Sequence, residues 1–274
     1  MEEWQICEAE CLHYLRTKYT TKNFNFELEG GHNSRRSDII VTKGGIAFFY
    51  IESKKDQAQC GQFVAFPNDA TRQFDYSDSN LFPINNPTQE ILENMANDFD
   101  TYKNPNTAGI TLNMDVNYFY TWIKEFYRNK GVKYFIIEKE VGTHNYADDN
   151  FVIFPIENLQ NYLSVEGKYR RKTSGSSNPT SKHYDEIKQI VIDKGYKNIS
   201  FFNEGKYVFA KIDIYPKIYK FIGQTNTYQF KPVKDGIFSI TKLSNTSNPN
   251  VIFSVRLKQD QLEADIERFK SEFY

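Results

Sequence analysis

Apolar and polar positions recur with two different periods along the chain, and those periods divide it into elements. Trp4, Cys7, Cys11, Leu12 and Leu15 share one stripe at about 100° per residue, which predicts a helix over 2–18. Phe24, Phe26 and Leu28 alternate with polar residues, the two-residue period of a strand over 23–28. A Gly- and Asn-containing turn leads to a second strand at 37–42, and Lys43-Gly44-Gly45 is a tight hairpin signal before a third at 46–54. Further strands are predicted at 71–77, 132–137 and 151–154, with helices at 89–98, 118–128 and 156–163. The stretch 168–180 is basic and rich in Ser and Gly, which predicts an exposed loop and a seam between subdomains. Beyond it come a helix at 183–194, strands at 198–202, 206–214, 228–230, 236–243 and 251–257, and an amphipathic helix at 261–273. The order predicts an α/β fold: a central mixed β-sheet flanked by helices, with a β-rich C-terminal portion. Residues 1–163 are expected to form a core and 164–274 a second portion packed on it.

Composition narrows the class. A chain of 274 residues, 39% hydrophobic and 25% charged, is too apolar to be disordered and too polar to live in a membrane. Phe 23 and Tyr 19 supply much of the core volume. No run approaches the roughly 18 apolar residues of a membrane span. The opening Met1-Glu2-Glu3-Trp4 is acidic, where a secretory leader begins basic and turns apolar. Three cysteines, Cys7, Cys11 and Cys60, are too few for a disulfide scaffold and point to a reducing compartment. The expectation is a cytoplasmic protein with no membrane partner.

Charge is unevenly spread. The net charge is −1, yet residues 164–258 hold 17 Lys/Arg against 7 Asp/Glu, so the rest of the chain is strongly acidic. An acidic part that holds cations joined to a basic part that grips phosphate would produce this pattern. A Lys-favouring genome is the plainer source of the same asymmetry.

The chemistry concentrates between Ser37 and Lys54. A period of two puts Ile46, Phe48, Tyr50, Glu52 and Lys54 on one face of the third strand. The Gly44-Gly45 turn folds the second strand back and brings Asp38 toward Glu52. Two carboxylates and an ammonium at a sheet rim form a hard-oxygen site suited to Mg²⁺. A hairpin that merely ends in solvated charges is the plain alternative. The first helix weighs against it. On a helical wheel Trp4, Cys11, Leu12 and Leu15 lie within about 60° of Glu8. Glu8 therefore sits inside the apolar stripe, while Glu10, about 160° away, is expected to face solvent. A carboxylate in a buried stripe is costly unless a cation pairs with it.

Helix-borne Glu8, then Asp38, then Glu52-Ser53-Lys54 after a hairpin resembles the PD-(D/E)xK nuclease superfamily, best known from type II restriction endonucleases. The likeness is carried by residues 1–66; it departs at Ser37, where the family often has Pro, and at Ser53, often apolar. The resemblance implies a restriction-endonuclease-like core and Mg²⁺-dependent hydrolysis of phosphodiester bonds. Asp38 and Glu52 would hold the metal, Glu8 would complete or support a second site, and Lys54 would orient water and stabilise the transition state. Gln59 and Gln62, just after the E-x-K strand, resemble glutamines that contact the active site or substrate backbone in some members. The implied partner is double-stranded DNA, with monomer and homodimer both open and a cognate DNA methyltransferase in the same system. A repair or recombination nuclease with the same core, or a non-catalytic DNA-binding protein, are the competing readings.

The basic half offers candidates for the DNA contacts. Arg170, Arg171, Lys172 and Ser174 combine cations and a hydroxyl donor, a composition suited to clasping phosphates and equally that of a solvated linker. Lys242, Asn245, Asn250 and Arg256 lie on or between two late strands whose loop is expected to enter a groove, where Asn pairs with adenine and Arg with guanine. Cys7-x3-Cys11-x-His13 lacks a second ligand pair nearby in sequence, so its cysteines are read as buried core residues.

Overall fold

The computed structural model describes residues 3–29, 37–172, 175–197, 199–205, 207–215, 217–234, 236–244 and 248–273. The chain divides into two compact units: a larger one of Glu2–Arg171 with Pro249–Tyr274, and a smaller one spanning Lys172–Asn248. The expected boundary at 163/164 thus lies at Arg171/Lys172, and the last stretch of chain returns to the larger unit. Among the described residues no helix is long and apolar enough to cross a membrane.

In the larger unit the chain runs α1 (Glu3–Tyr19), β1 (Phe24–Leu28), β2 (Ile39–Lys43), β3 (Ile46–Lys55), β4 (Ala58–Asn68), β5 (Gln73–Tyr76), α2 (Asn86–Asn97), α3 (Phe99–Tyr102), β6 (Ile110–Thr111), α4 (Asn117–Arg128), β7 (Val132–Glu138), β8 (Phe151–Pro155), α5 (Leu159–Tyr162) and β9 (Leu163–Arg171). The smaller unit contributes β10 (Gly175–Ser177), α6 (Tyr184–Asp193), β11 (Ser200–Glu204), β12 (Tyr207–Lys211), β13 (Tyr219–Ile222), β14 (Thr227–Lys234) and β15 (Ile237–Ser244). The larger unit closes with β16 (Pro249–Leu257) and α7 (Glu263–Lys270).

The first sheet has the order β1-β2-β3-β7-β8 and is mixed, because β3 and β7 run parallel while the other neighbours are antiparallel. A parallel pair needs a long crossover, and here β4, β5 and the helices α2–α4 lie within it. β7 is buried on both faces, as its apolar run requires. Tyr134 and Ile136 pack with α1 and Phe269 of α7, whereas Phe135 and Ile137 join the core under α4. The second sheet, β5-β4-β16-β9-β6, is antiparallel and shares that latter core. The smaller unit is an antiparallel sheet, β11-β12-β15-β14-β13, with β10 beside β15. Ile187 and Val191 of α6 cover it, sealing Val208, Phe230 and Ile240 in a core of its own.

Two expectations are corrected. Residues 168–171 belong to β9, zipped in register against β16 from Pro249↔Arg171 to Leu257↔Leu163, and are not a loop. Their cations alternate with buried Gly167 and Tyr169, the period of a half-buried strand. The late strands β15 and β16 belong to different sheets and do not form a groove-entering hairpin.

Candidate active site

The β2–β3 hairpin builds the site. Gly44 and Gly45 adopt φ of 58° and 81°, the left-handed conformation that a two-residue turn demands and glycine supplies without a Cβ clash. The resulting register pairs Ile39 with Ile51, so Asp38, one residue earlier, stands opposite Glu52. Asp38 Oδ2 accepts hydrogen bonds from the Ser53 amide (3.1 Å), the Ser53 hydroxyl (3.2 Å) and Lys54 Nζ (3.3 Å). Lys54 Nζ also donates to Glu52 Oε1 at 2.5 Å and to the Ser53 carbonyl at 2.9 Å. Ser37, which stands where Pro is common in the family, is fully buried and donates to the Lys130 carbonyl at 3.3 Å.

Glu52 is only 3% exposed, and its second oxygen, Oε2, accepts no hydrogen bond. Burial, reinforced by the Asp38 charge, raises its pKa above the ordinary carboxylate value. For Lys54, burial opposes the charge, but Asp38 and Glu52 outweigh it and hold the ammonium well above its usual pKa. Glu8 is half-buried on α1 within reach of the same charges. Burial and then the Asp38 carboxylate push it up to about 8. Three carboxyl groups crowded beside the buried Lys54 ammonium raise one another's pKa, the condition a divalent cation relieves.

Several participants were not visible in the sequence. Lys130, from the turn after α4, lies 3.7 Å from Glu52 Oε2 and is 6% exposed. Cys60, on β4, lies close enough to feel Lys54 and Glu52, and burial pushes its thiol up to about 12. Tyr127 of α4 presents its ring 5.9 Å from Lys54 Nζ. The Lys130-Gly131 pair between an aromatic helix and an apolar strand was the one local signal for that corner. Glu10 overturns the expectation of solvent exposure. It is 3% exposed and accepts from the Gly142 amide (2.6 Å) and the His144 amide (3.0 Å), because the loop after β7 folds over α1.

The chain matches no protein-family model and no curated protein. Among solved structures it is similar to "HhaI endonuclease in Complex with DNA", with 35% sequence identity and a TM-score of 0.69 over 98% of both chains. The chain belongs to the type II restriction endonuclease-like PD-(D/E)xK nucleases. The similarity to this nuclease family therefore extends far beyond residues 1–66 and spans both units. The mixed α/β architecture with its β-rich C-terminal region is the family's fold.

The other candidates fall in varied places. Gln59 and Gln62 lie on β4 and bond to each other, Nε2 to Oε1 at 3.2 Å. Arg170 and Arg171 end β9, and Lys172 begins the smaller unit. Lys242 is on β15 with Nζ 3.5 Å from His183 Nε2. Arg256 is exposed on an open groove shared with Gln57, Ser164, Glu166 and Ser254. Asn250 is a correction: it is fully buried in β16 opposite Arg170, so its amide is not presented to a nucleic-acid groove. Ser174 and Asn245 lie outside the described residues.

Proposed function

We propose that the protein is a Mg²⁺-dependent endonuclease that cuts double-stranded DNA at a defined sequence, as a type II restriction enzyme. The observation that carries this reading is the Asp38–Lys54–Glu52 cluster at the strand ends, in a chain similar along its whole length to an endonuclease solved with DNA. A restriction activity implies double-stranded DNA as substrate, a cytoplasmic setting and a cognate methyltransferase that protects the host.

The donor set fits Mg²⁺. Asp38, Glu52 and Glu8 offer hard oxygens, and the buried Glu52 Oε2 has no hydrogen-bond donor to satisfy it. Asp38 and Glu52 would hold the ion, with Glu8 supporting it. When bound, such an ion neutralises charge on the phosphodiester and acidifies water. The chain's own residues do the rest. The Ser53 amide and hydroxyl fix the Asp38 carboxylate, so its free oxygen is pre-aimed. Lys54, held by two carboxylates and a carbonyl, donates to the phosphate or to the attacking water as negative charge develops. Lys130 balances Glu52 from the opposite side. Gln59 and Gln62 can bridge a phosphate oxygen and water. The basic unit Lys172–Asn248, with Arg170, Arg171 and Arg256 of the larger unit, supplies phosphate and base contacts in this reading.

Plasmid DNA incubated with the purified protein tests the proposal. Discrete fragments with Mg²⁺, none with EDTA, and a mobility shift without cleavage in Ca²⁺ are expected. Cuts confined to flaps, junctions or ends would support the repair or recombination reading instead. A mobility shift with no cleavage under any metal would leave a DNA-binding protein.

A further inference from the structure

A second group of ligand-type side chains lies where α1 meets the end of β7. Cys7 and Cys11 are one helical turn apart and therefore project from the same face. That face meets the end of β7, where Glu138 shares the side of Tyr134 and Ile136. The two sulfurs and a Glu138 oxygen all lie within 4.8 Å of one another, and all three residues are buried. Glu138 is 0% exposed, and neither of its oxygens accepts a hydrogen bond from a nitrogen or hydroxyl donor. Its polar neighbours are the Cys7 thiol and the Glu10 carboxyl, each of which can only share a proton with it. A buried carboxylate with so little compensation is costly, and a bound cation removes the cost.

We propose that Cys7, Cys11 and Glu138 bind a thiophilic divalent ion, Zn²⁺ in the cell, as a structural site distinct from the Mg²⁺ cluster. Two thiolates and a carboxylate match the ligand types of zinc and supply three of the four positions of its tetrahedron. Thiolates discriminate against Mg²⁺, so the two sites take different ions although Cys7 and Glu8 are neighbours in sequence. The outer partners are in place. Glu10 beside Glu138 is clamped by the Gly142 and His144 amides and by His144 Nδ1 at 2.8 Å. The ion ties α1 to the end of β7 and so fixes the helix that carries Glu8.

The test reads metal content and spectra, so it stands or falls independently of the nuclease reading. Protein stripped with chelator and reconstituted with zinc, then desalted, is expected to retain about one ion per chain. Substituting Co²⁺ is expected to give a thiolate-to-cobalt charge-transfer band that excess Mg²⁺ does not remove. Cys7→Ser or Cys11→Ser should weaken the band and the double variant should abolish it, Glu138→Gln should weaken retention, and Cys60→Ser, another buried cysteine, should leave both unchanged. Wild-type protein that retains no zinc and shows no cobalt–thiolate band overturns the proposal without recourse to any variant. So does a band that survives in a folded protein lacking both Cys7 and Cys11.

Discussion

At the scale of single residues, the site is organised by an unequal contest between burial and pairing. Glu52, 3% exposed, is tolerated because Lys54 bonds one oxygen and Lys130 faces the other. In the proposed mechanism Lys54→Ala removes the donor aimed at developing charge. The expected loss is on the order of 10²-fold or more in cleavage rate, with DNA binding in Ca²⁺ retained, measured by single-turnover cleavage beside mobility shift. A Lys54→Ala protein that cuts at the wild-type rate would remove Lys54 from the mechanism. Lys130→Met leaves Glu52 Oε2 without its distant counter-charge, and should lower stability by about 1–3 kcal/mol in urea denaturation. What the sequence made legible here were the residues whose partners are local. Asp38, Glu52 and Lys54 sit on one hairpin, and a two-residue period with a Gly-Gly turn is enough to bring them together. Lys130, Cys60 and Glu138 reach the region through the β3–β7 crossover, which no local period reveals. Glu138 did carry a faint signal, since an acid follows the mainly apolar stretch Val132–Ile137 as Glu52 follows the apolar start of the third strand. Glu10 defeated the helical wheel because an ideal wheel knows nothing of a loop folding over the helix.

Elements show the same division. α1, the first hairpin and α4 matched their patterns because their apolar positions recur at the helix and strand periods, although only α4 has one clear apolar face and α1 buries Glu10 and Tyr14 beside its stripe. β9 did not, because its outward cations and its glycine read as loop, and the partner that makes it a strand, β16, lies some 80 residues on in sequence. β4 carries a sharper constraint. Gly61 adopts φ of 99°, and a Cβ there would stand 2.5 Å from the Trp122 ring of α4. Trp122 is itself fixed by its indole N–H to Thr88 Oγ1 at 3.0 Å, so it has little room to retreat. Gly61→Ala combines backbone strain with overpacking and should cost about 2–4 kcal/mol. Gly195→Ala, at φ of 85° but with nothing near its Cβ, should cost only about 1–2 kcal/mol. Equal melting temperatures for the two variants would show that the α4–β4 contact is softer than its geometry implies.

For the molecule as a whole, two units with separate cores carry opposite charge. Between residues 172 and 248 there are 12 Lys/Arg and 6 Asp/Glu, while the rest of the chain is net acidic. The smaller unit also has its own acid sensitivity. Glu186 of α6 is opposed by burial, yet the Tyr228 hydroxyl, the Asn226 side chain and the Thr225 and Asn226 amides hold its pKa down to about 2. A folded pKa below the unfolded one contributes stability above about 4.5, and that contribution disappears as pH falls toward about 2. Hydrogen exchange in β14 and β15 should therefore accelerate across that window, and Glu186→Gln should flatten the dependence. The charge division makes the last prediction. If the basic unit grips phosphate, each cation it brings to the backbone releases counterions. Six such contacts would weaken binding by roughly 10³-fold between 50 and 200 mM salt. Lys242→Ala should reduce the slope of log affinity against log salt by about one, across cognate and unrelated duplexes alike, because a phosphate contact carries no sequence information. A base-reading residue behaves differently: its loss lowers affinity for the cognate site while leaving the salt slope nearly intact. Measuring both slopes for Lys242→Ala and Arg256→Ala by fluorescence anisotropy separates grip from readout. An unchanged slope for Lys242→Ala would take that residue out of the phosphate contacts.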